Sequence, residues 1–235
     1  MTLAPRDEDS VWIVYARVDE RDDDEARLLA LLSPDERERH QRLRFARDRA
    51  VYRCAHTLLR LLLSEAVGGA PEAHRFEAGS HGKPGLLPAV PGLDFNLSHT
   101  AGLVACALAW GAPVGVDVEH CVRRADLAGV GRRVFSAAEQ AALAALADAA
   151  QSDRFFEYWT LKEAYMKARG LGFSLPPASF ELSRGPGAAY ALRHLDAPAP
   201  LHDWSFFETR LDEHRLACAA GARGRQFRVE RRELG

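Results

Sequence analysis

Long apolar runs, paired-cysteine motifs and an excess of either charge are all missing from this chain of 235 residues. No uninterrupted apolar stretch approaches the roughly 20 residues that a membrane-spanning helix needs. Cys54, Cys106, Cys121 and Cys218 show no C-x-x-C spacing. Buried free thiols in a reducing compartment are therefore expected in place of zinc sites or disulfides. The 31 Lys and Arg residues against 33 Asp and Glu leave a formal net charge of −2. Nucleic acid is not expected as a main partner at that balance, and any anion site has to be local. Arg6, Asp7, Glu8 and Asp9 precede the first apolar run. That beginning does not resemble a secretory signal, so a cytoplasmic location is expected. What remains is an ordinary globular composition, 47% apolar and 27% charged, long enough for one large domain or two small ones.

Punctuation along the chain predicts an α+β protein. Residues 11–18 (VWIVYARV) are β-branched and aromatic and predict a first strand. Residues 22–32 predict a short helix. Ser33-Pro34-Asp35-Glu36 then has the form of a capping box with Pro at the first helical position. A long helical region with a leucine face follows until Gly68-Gly69. Residues 70–92, rich in Gly and Pro, are expected to be mostly loop. Strands are expected at 93–97 and 103–109, around a turn at 98–102. A similar order starts again after Pro113: a strand at 114–119, a second capping box at Ser136–Glu139, and a long helix over 153–168 closed by Gly170 and Gly172. Four further strands are expected at 180–182, 189–195, 204–211 and 215–219. The repetition suggests two similar α+β halves, 1–111 and 112–235, with a site between them, and the plainer reading is two unrelated α+β segments. The tail from 184 onward is expected to complete the second half's sheet.

Chemistry concentrates in a few segments. In the strand Gly115-Val116-Asp117-Val118-Glu119, residues two apart share a face, so Asp117 and Glu119 present adjacent carboxylates. Such a pair suits a hard cation, and magnesium takes one or two carboxylates while sharing phosphate oxygens. The helix around Trp159-Thr160-Leu161-Lys162-Glu163-Ala164-Tyr165-Met166-Lys167 offers a third carboxylate, Glu163, and a cation one turn on, Lys167. The plainer readings are an exposed acidic edge strand and a surface ion pair. His81-Gly82-Lys83-Pro84-Gly85 presents one lysine on a tight turn, suited to a phosphate, or is simply a good β-turn. Asn96, Ser98, His99 and Thr100 put hydrogen-bonding groups at a strand end, able to grip phosphate oxygens or merely cap the strand. The arginine run from Arg37 to Arg53 reads mainly as a solvated helix face, with one or two members able to reach a phosphate.

In order and spacing, FNLSHT (95–100), GVDVEH (115–120), FSAAE (135–139) and WTLKEAYMK (159–167), supported by HGKP (81–84) and FARD (45–48), resemble the Sfp-type 4′-phosphopantetheinyl transferases. Trp159 and Ala164 resemble the W/KEA branch. The likeness runs from about residue 33 to residue 182. It implies a pseudo-twofold pair of α+β halves in one chain, expected to act as a monomer. It further implies transfer of the phosphopantetheine arm of coenzyme A to a serine of an apo acyl or peptidyl carrier protein, with release of adenosine 3′,5′-bisphosphate. By the same resemblance Asp117, Glu119 and Glu163 would hold Mg²⁺. Glu163 would also take the serine proton, directly or through water, and Lys167 would stabilise the breaking pyrophosphate. Coenzyme A would be held by Arg47, Arg53, Lys83, Pro84, Ser98, His99, Asp117, Lys162 and Lys167. Two other classes fit the same residues: a non-catalytic coenzyme A or nucleotide-binding module, and a magnesium-dependent pyrophosphohydrolase.

Overall fold

In the computed structural model, residues 6–18, 24–121, 127–185, 189–196 and 203–234 are described. Two sheets pack face to face, and a helix of 22 residues covers the outer face of each. The first sheet has the order β11-β1-β5-β4, from Gln226–Arg231, Ser10–Arg17, Leu103–Trp110 and Leu93–Thr100. The second has the order β6-β10-β9, from Val114–His120, His214–Gly221 and Trp204–Leu211. Val11, Ile13, Leu103, Ala105 and Ala107 of one sheet meet Val116, Val118, Leu216 and Cys218 of the other. The strands β5 and β10 are buried along their whole length. This is why LVACALAW and HRLACAAG read as apolar runs of small side chains and do not alternate.

The helix α3, Ala46–Val67, lays Leu58, Leu59, Leu62 and Leu63 on the first sheet. The helix α6, Asp148–Arg169, lays Leu161, Ala164, Tyr165 and Met166 on the second. Before α3 in the chain come α1, Glu25–Ala30, and α2, Pro34–Arg42; between α3 and α6 come α4, Leu127–Val134, and α5, Ala137–Ala144. Both expected capping boxes form. Ser33 and Ser136 each accept the amide of the glutamate three residues on, and Glu36 and Glu139 reach back to the serine amides. Each glutamate also meets a buried cation of the following long helix, Arg60 in α3 and Lys162 in α6. No helix of the described residues is long and apolar enough to cross a membrane.

Several expectations need correction. The long first helical region is two helices, because Leu43 and Phe45 adopt extended backbone between α2 and α3. The expected loop at 70–92 holds a 3₁₀ turn, Pro71–Ala73, and a hairpin of β2, Arg75–Ala78, with β3, Pro84–Leu87. Ser98, His99 and Thr100 belong to β4, paired with Ala105, Val104 and Leu103, so the turn is only Ala101-Gly102. The last long helix starts at Asp148, five residues earlier than expected. Residues 22 and 23 of the first expected helix lie outside the described residues.

The tail does not stay with the second half. The hairpin of β7, Phe180–Arg184, and β8, Tyr190–His194, forms its own small sheet. The last strand crosses the expected boundary at 111/112 and pairs in parallel with β1. Its sequence, QFRVER, alternates weakly, and only its partner makes it a strand.

Candidate active site

The site grows from the seam where β4 and β6, the facing edges of the two sheets, run side by side. Backbone pairing there is replaced by side chains. Asp94 Oδ2 accepts the Val114 amide at 2.7 Å, Asn96 Oδ1 the Val116 amide at 3.0 Å, and Ser98 Oγ the Val118 amide at 3.3 Å. Residues two apart on β4 point one way, so three polar side chains satisfy three successive inward amides of β6. The same alternation turns Gly115, Asp117 and Glu119 of β6 toward α6.

Gly115 permits the close approach of α6. A Cβ there would overlap the Ala164 carbonyl and the Ala168 amide of the helix backbone. With the helix lying directly on the strand, Trp159, Glu163 and Lys167 form one stripe, four residues apart. At one end of the stripe Trp159 Nε1 donates to Glu119 Oε1 at 2.9 Å. At the other, Lys167 Nζ donates to Asp117 Oδ1 at 2.6 Å and to Ser98 Oγ at 2.8 Å. Ser98 Oγ in turn donates to Asp117 Oδ1 at 2.9 Å.

Glu163 lies between these anchors. Burial, together with the negative charges of Asp117 and Glu119, raises its carboxyl to about 7, against the opposing pull of Lys167. Asp117 is buried, and its Oδ2 has no hydrogen-bond partner. The site thus carries more carboxylate than its one lysine neutralises. A buried carboxylate oxygen left without a donor is the kind of atom that a cation completes. The donors fit magnesium in type, being all oxygen. Among the described residues, however, no group of three or more His, Cys, Asp or Glu side chains is assembled so as to hold a metal ion.

Beside the seam, a cavity of about 510 Å³ opens between the start of α3 and the β4–β5 turn. Arg47, Tyr52, His99 and Thr100 line its polar side, and Leu43 and Val51 its apolar side. Because successive strand residues face opposite ways, Ser98 belongs to the carboxylate side of β4 and His99 to this cavity. Arg47 is largely exposed and lies over the ring of Phe45, with Arg44 also over that ring.

Three expected coenzyme A contacts, Lys162, Lys83 and Arg53, are committed to other partners. Lys162 is fully buried, with Nζ donating to Glu139, Pro177 O and Phe180 O, and so cannot meet a ligand. It lies about 100° around the helix from Glu163. Lys83 Nζ is held by Asp94 Oδ2 at 2.5 Å, Val114 O at 2.9 Å and Ala168 O at 3.4 Å, tying the β2–β3 hairpin to β6 and α6. Pro84 opens β3 opposite Ala78. Arg53 is buried and donates to Glu25. Arg47, Ser98, His99, Asp117 and Lys167 remain around the seam and the cavity. Sequence reasoning missed the positional roles of Trp159, Asn96 and Asp94. The alternation Asp94-x-Asn96-x-Ser98, matching Val114-x-Val116-x-Val118, was a signal for the last two.

Comparisons agree with this architecture. Residues 113–219 match the 4′-phosphopantetheinyl transferase superfamily, and residues 21–110 match the family described as 4′-phosphopantetheinyl transferase, N-terminal. The chain is 35% identical over 197 residues to the 4′-phosphopantetheinyl transferase HetI of a Nostoc species, covering 83% of this chain and 80% of HetI. It is 33% identical to the transferase psf-1 of Bacillus pumilus, over 74% of this chain and 72% of that one. Sfp of Bacillus subtilis is 29% identical over 75% of this chain and 77% of its own. Spanning both matched segments and most of the length of these relatives, the chain belongs to the 4′-phosphopantetheinyl transferase superfamily.

Proposed function

We propose that this enzyme moves the 4′-phosphopantetheine arm of coenzyme A to a serine hydroxyl of an apo carrier protein. The observation that carries the reading is geometric: Glu163 stands on one stripe of α6 between Trp159, which donates to Glu119, and Lys167, which donates to Asp117. A serine hydroxyl needs a positioned base before it attacks phosphorus. Glu163 accepts the serine proton, directly or through water. Lys167, already donating to Ser98 and Asp117, supplies positive charge where the pyrophosphate oxygens gain negative charge. Arg47 and His99 are the candidates for the 3′-phosphate, since they line one cavity and Arg53 is engaged with Glu25.

Asp117, Glu119 and Glu163 would hold magnesium, which supplies charge neutralisation at phosphate oxygens when bound. The unpartnered Oδ2 of Asp117 supports that assignment. Positive charge there also draws Glu163 below 7. Four cysteines in no disulfide, three of them buried, support a reducing compartment such as the cytoplasm. A chain with a 22-residue helix on each of its two sheets supports action as a monomer.

The test incubates purified protein with coenzyme A, Mg²⁺ and an apo carrier protein and reads the carrier's intact mass. A gain of one phosphopantetheine is expected, and Glu163→Ala is expected to abolish it while the protein stays folded. Coenzyme A cleavage without carrier modification would favour the pyrophosphohydrolase. Binding with neither reaction would favour the binding module.

A further inference from the structure

Lys162 precedes Glu163, yet its ammonium is bonded to Glu139 of α5 and to the turn at 177–180, and to none of Asp117, Glu119 or Glu163. Its three ammonium protons meet three acceptors: Glu139 Oε2 at 2.8 Å, Pro177 O at 2.7 Å and Phe180 O at 2.6 Å. The Phe180 ring lies 4.4 Å from Nζ. Glu139 is equally committed, since Oε2 also takes the Ser136 amide and Oε1 the Leu182 amide. A buried pair with all donors and acceptors matched holds one geometry.

The first half contains the same device. Arg60 Nε donates to Glu36 Oε2 at 2.6 Å, and Nη1 to Pro71 O at 2.6 Å and His74 O at 3.0 Å. Counting from Ala46 and from Asp148, Arg60 and Lys162 are each the fifteenth residue of a 22-residue helix. In both cases the carbonyls belong to the first residue of a 3₁₀ turn, Pro71–Ala73 or Pro177–Ser179, and to the residue after it. One helix therefore carries the device next to reactive side chains. The other carries it next to Leu61 and one turn after Thr57, where Glu163 and Trp159 stand in α6.

We propose that Lys162, through Glu139 and the Pro177 and Phe180 carbonyls, is a positioning residue that fixes the rotation of α6 and so aims Glu163 and Trp159 at Asp117 and Glu119. A side chain reaches roughly 5–6 Å from a helix axis. A rotation of about 10° therefore moves the Glu163 carboxyl by roughly 1 Å, a displacement that costs about 100-fold in a positioned reaction. Glu139 is anchored to the Leu182 amide of β7, so the reference for this rotation is the β7–β8 hairpin.

The inference rests on the transferase reading, and the two fail separately. Wild type, Lys162→Met, Lys162→Arg, the double variant Glu139→Leu/Lys162→Met, and Arg60→Met are compared by thermal melting, by Mn²⁺ titration of the purified protein alone, and by kcat and KM for coenzyme A. The double variant removes both charges together and keeps a folded species in hand if Lys162→Met unfolds. Both Met variants at 162 are expected to bind Mn²⁺ about 10-fold more weakly. Their kcat is expected to fall about 100-fold, with KM for coenzyme A changed less than about twofold. Lys162→Arg is expected to restore Mn²⁺ affinity to within about threefold, as arginine fills this role at position 60. Arg60→Met is expected to lower the melting temperature and leave Mn²⁺ affinity unchanged. A folded double variant with wild-type Mn²⁺ affinity, or an equal loss in Arg60→Met, would overturn the proposal. Wild type without transfer sinks the functional reading instead, and the Mn²⁺ comparison still decides the role of Lys162.

Discussion

Glu163→Gln separates the electrostatics of the site from its chemistry, because it removes a charge and keeps a side chain of the same shape. The Glu163 carboxyl titrates at about 7 in the folded protein, against 4.5 for an ordinary glutamate. A raised folded value means that the protonated form is favoured by folding. Its contribution is fully present below about 4.5 and is lost as pH rises through 7. At about 1.4 kcal/mol per pH unit, the interval amounts to about 3 kcal/mol. At pH 8 and without divalent metal, Glu163→Gln is therefore expected to be more stable than wild type by up to about 3 kcal/mol. At pH 4 the two should be nearly equal. For a chain of this size the difference corresponds to roughly 6–12 °C in melting temperature. Urea unfolding in EDTA from pH 4 to 8 measures it, and carrier modification should be lost in the same variant. Millimolar magnesium should then raise wild-type stability at pH 8 more than that of the variant. Equal pH dependence in the two proteins, or a glutamine variant less stable at pH 8, would refute the crowding of charge at this position.

Other perturbations address the scaffold around that carboxyl. Trp159→Phe removes the donor to Glu119 Oε1 and keeps an aromatic ring. Mn²⁺ affinity is expected to fall about 10-fold with little change in melting temperature. Gly115→Ala forces a methyl group into the backbone of α6 at Ala164 and Ala168. A loss of about 1–3 kcal/mol by urea unfolding is expected, together with a larger fall in kcat than in stability. Glu36 is held at about 2: burial works against this, and hydrogen bonds from His56, Arg60 and the Ser33 amide outweigh it. A lowered folded value contributes stability above about 4.5 that is lost as pH falls toward 2, about 3 kcal/mol in all. Unfolding free energies between pH 6 and 3 should decline steeply in wild type and less steeply in Glu36→Gln.

Local chemistry was legible where it is self-contained. Both capping boxes, the strand expected at 114–119 and the pair Glu163-Lys167 one helical turn apart follow from spacing alone. The cavity wall at Arg47 and His99 follows less directly, through the FARD and FNLSHT segments. Hidden from sequence was everything that depends on which way a charge turns. Lys162 and Glu163 are adjacent and equally polar, and only the packed helix reveals that one faces the protein interior and the other the cleft. Lys83, on a Gly-flanked turn, had every appearance of an exposed cation, yet three acceptors from separate elements converge on it. The strand β11 was invisible for a related reason. Its pairing depends on β1, more than 200 residues away, and its own pattern carries no strong period.

Matching the two long helices at Arg60 and Lys162 explains why only one of them bears a reaction centre. The positions equivalent to Trp159, Glu163 and Lys167 are Thr57, Leu61 and Glu65 in α3. Thr57 is buried against the Leu28 carbonyl, and Glu65 pairs with Arg232 just beyond β11. The first helix has therefore spent these positions on packing α1 and on holding the end of the chain. In α6 the same positions face β6 across the gap that Gly115 leaves, and they carry charge in place of apolar contact. The two helices share an anchoring scheme, but the strand beneath each decides its task. Leu58, Leu59 and Leu62 of α3 cover an apolar sheet. Trp159, Glu163 and Lys167 instead meet a strand that presents Asp117 and Glu119. Exchanging Leu61 and Glu163 between the helices should for that reason give no second site: a carboxylate at 61 has no acidic strand opposite it, so Mn²⁺ binding should vanish at 163 without appearing at 61.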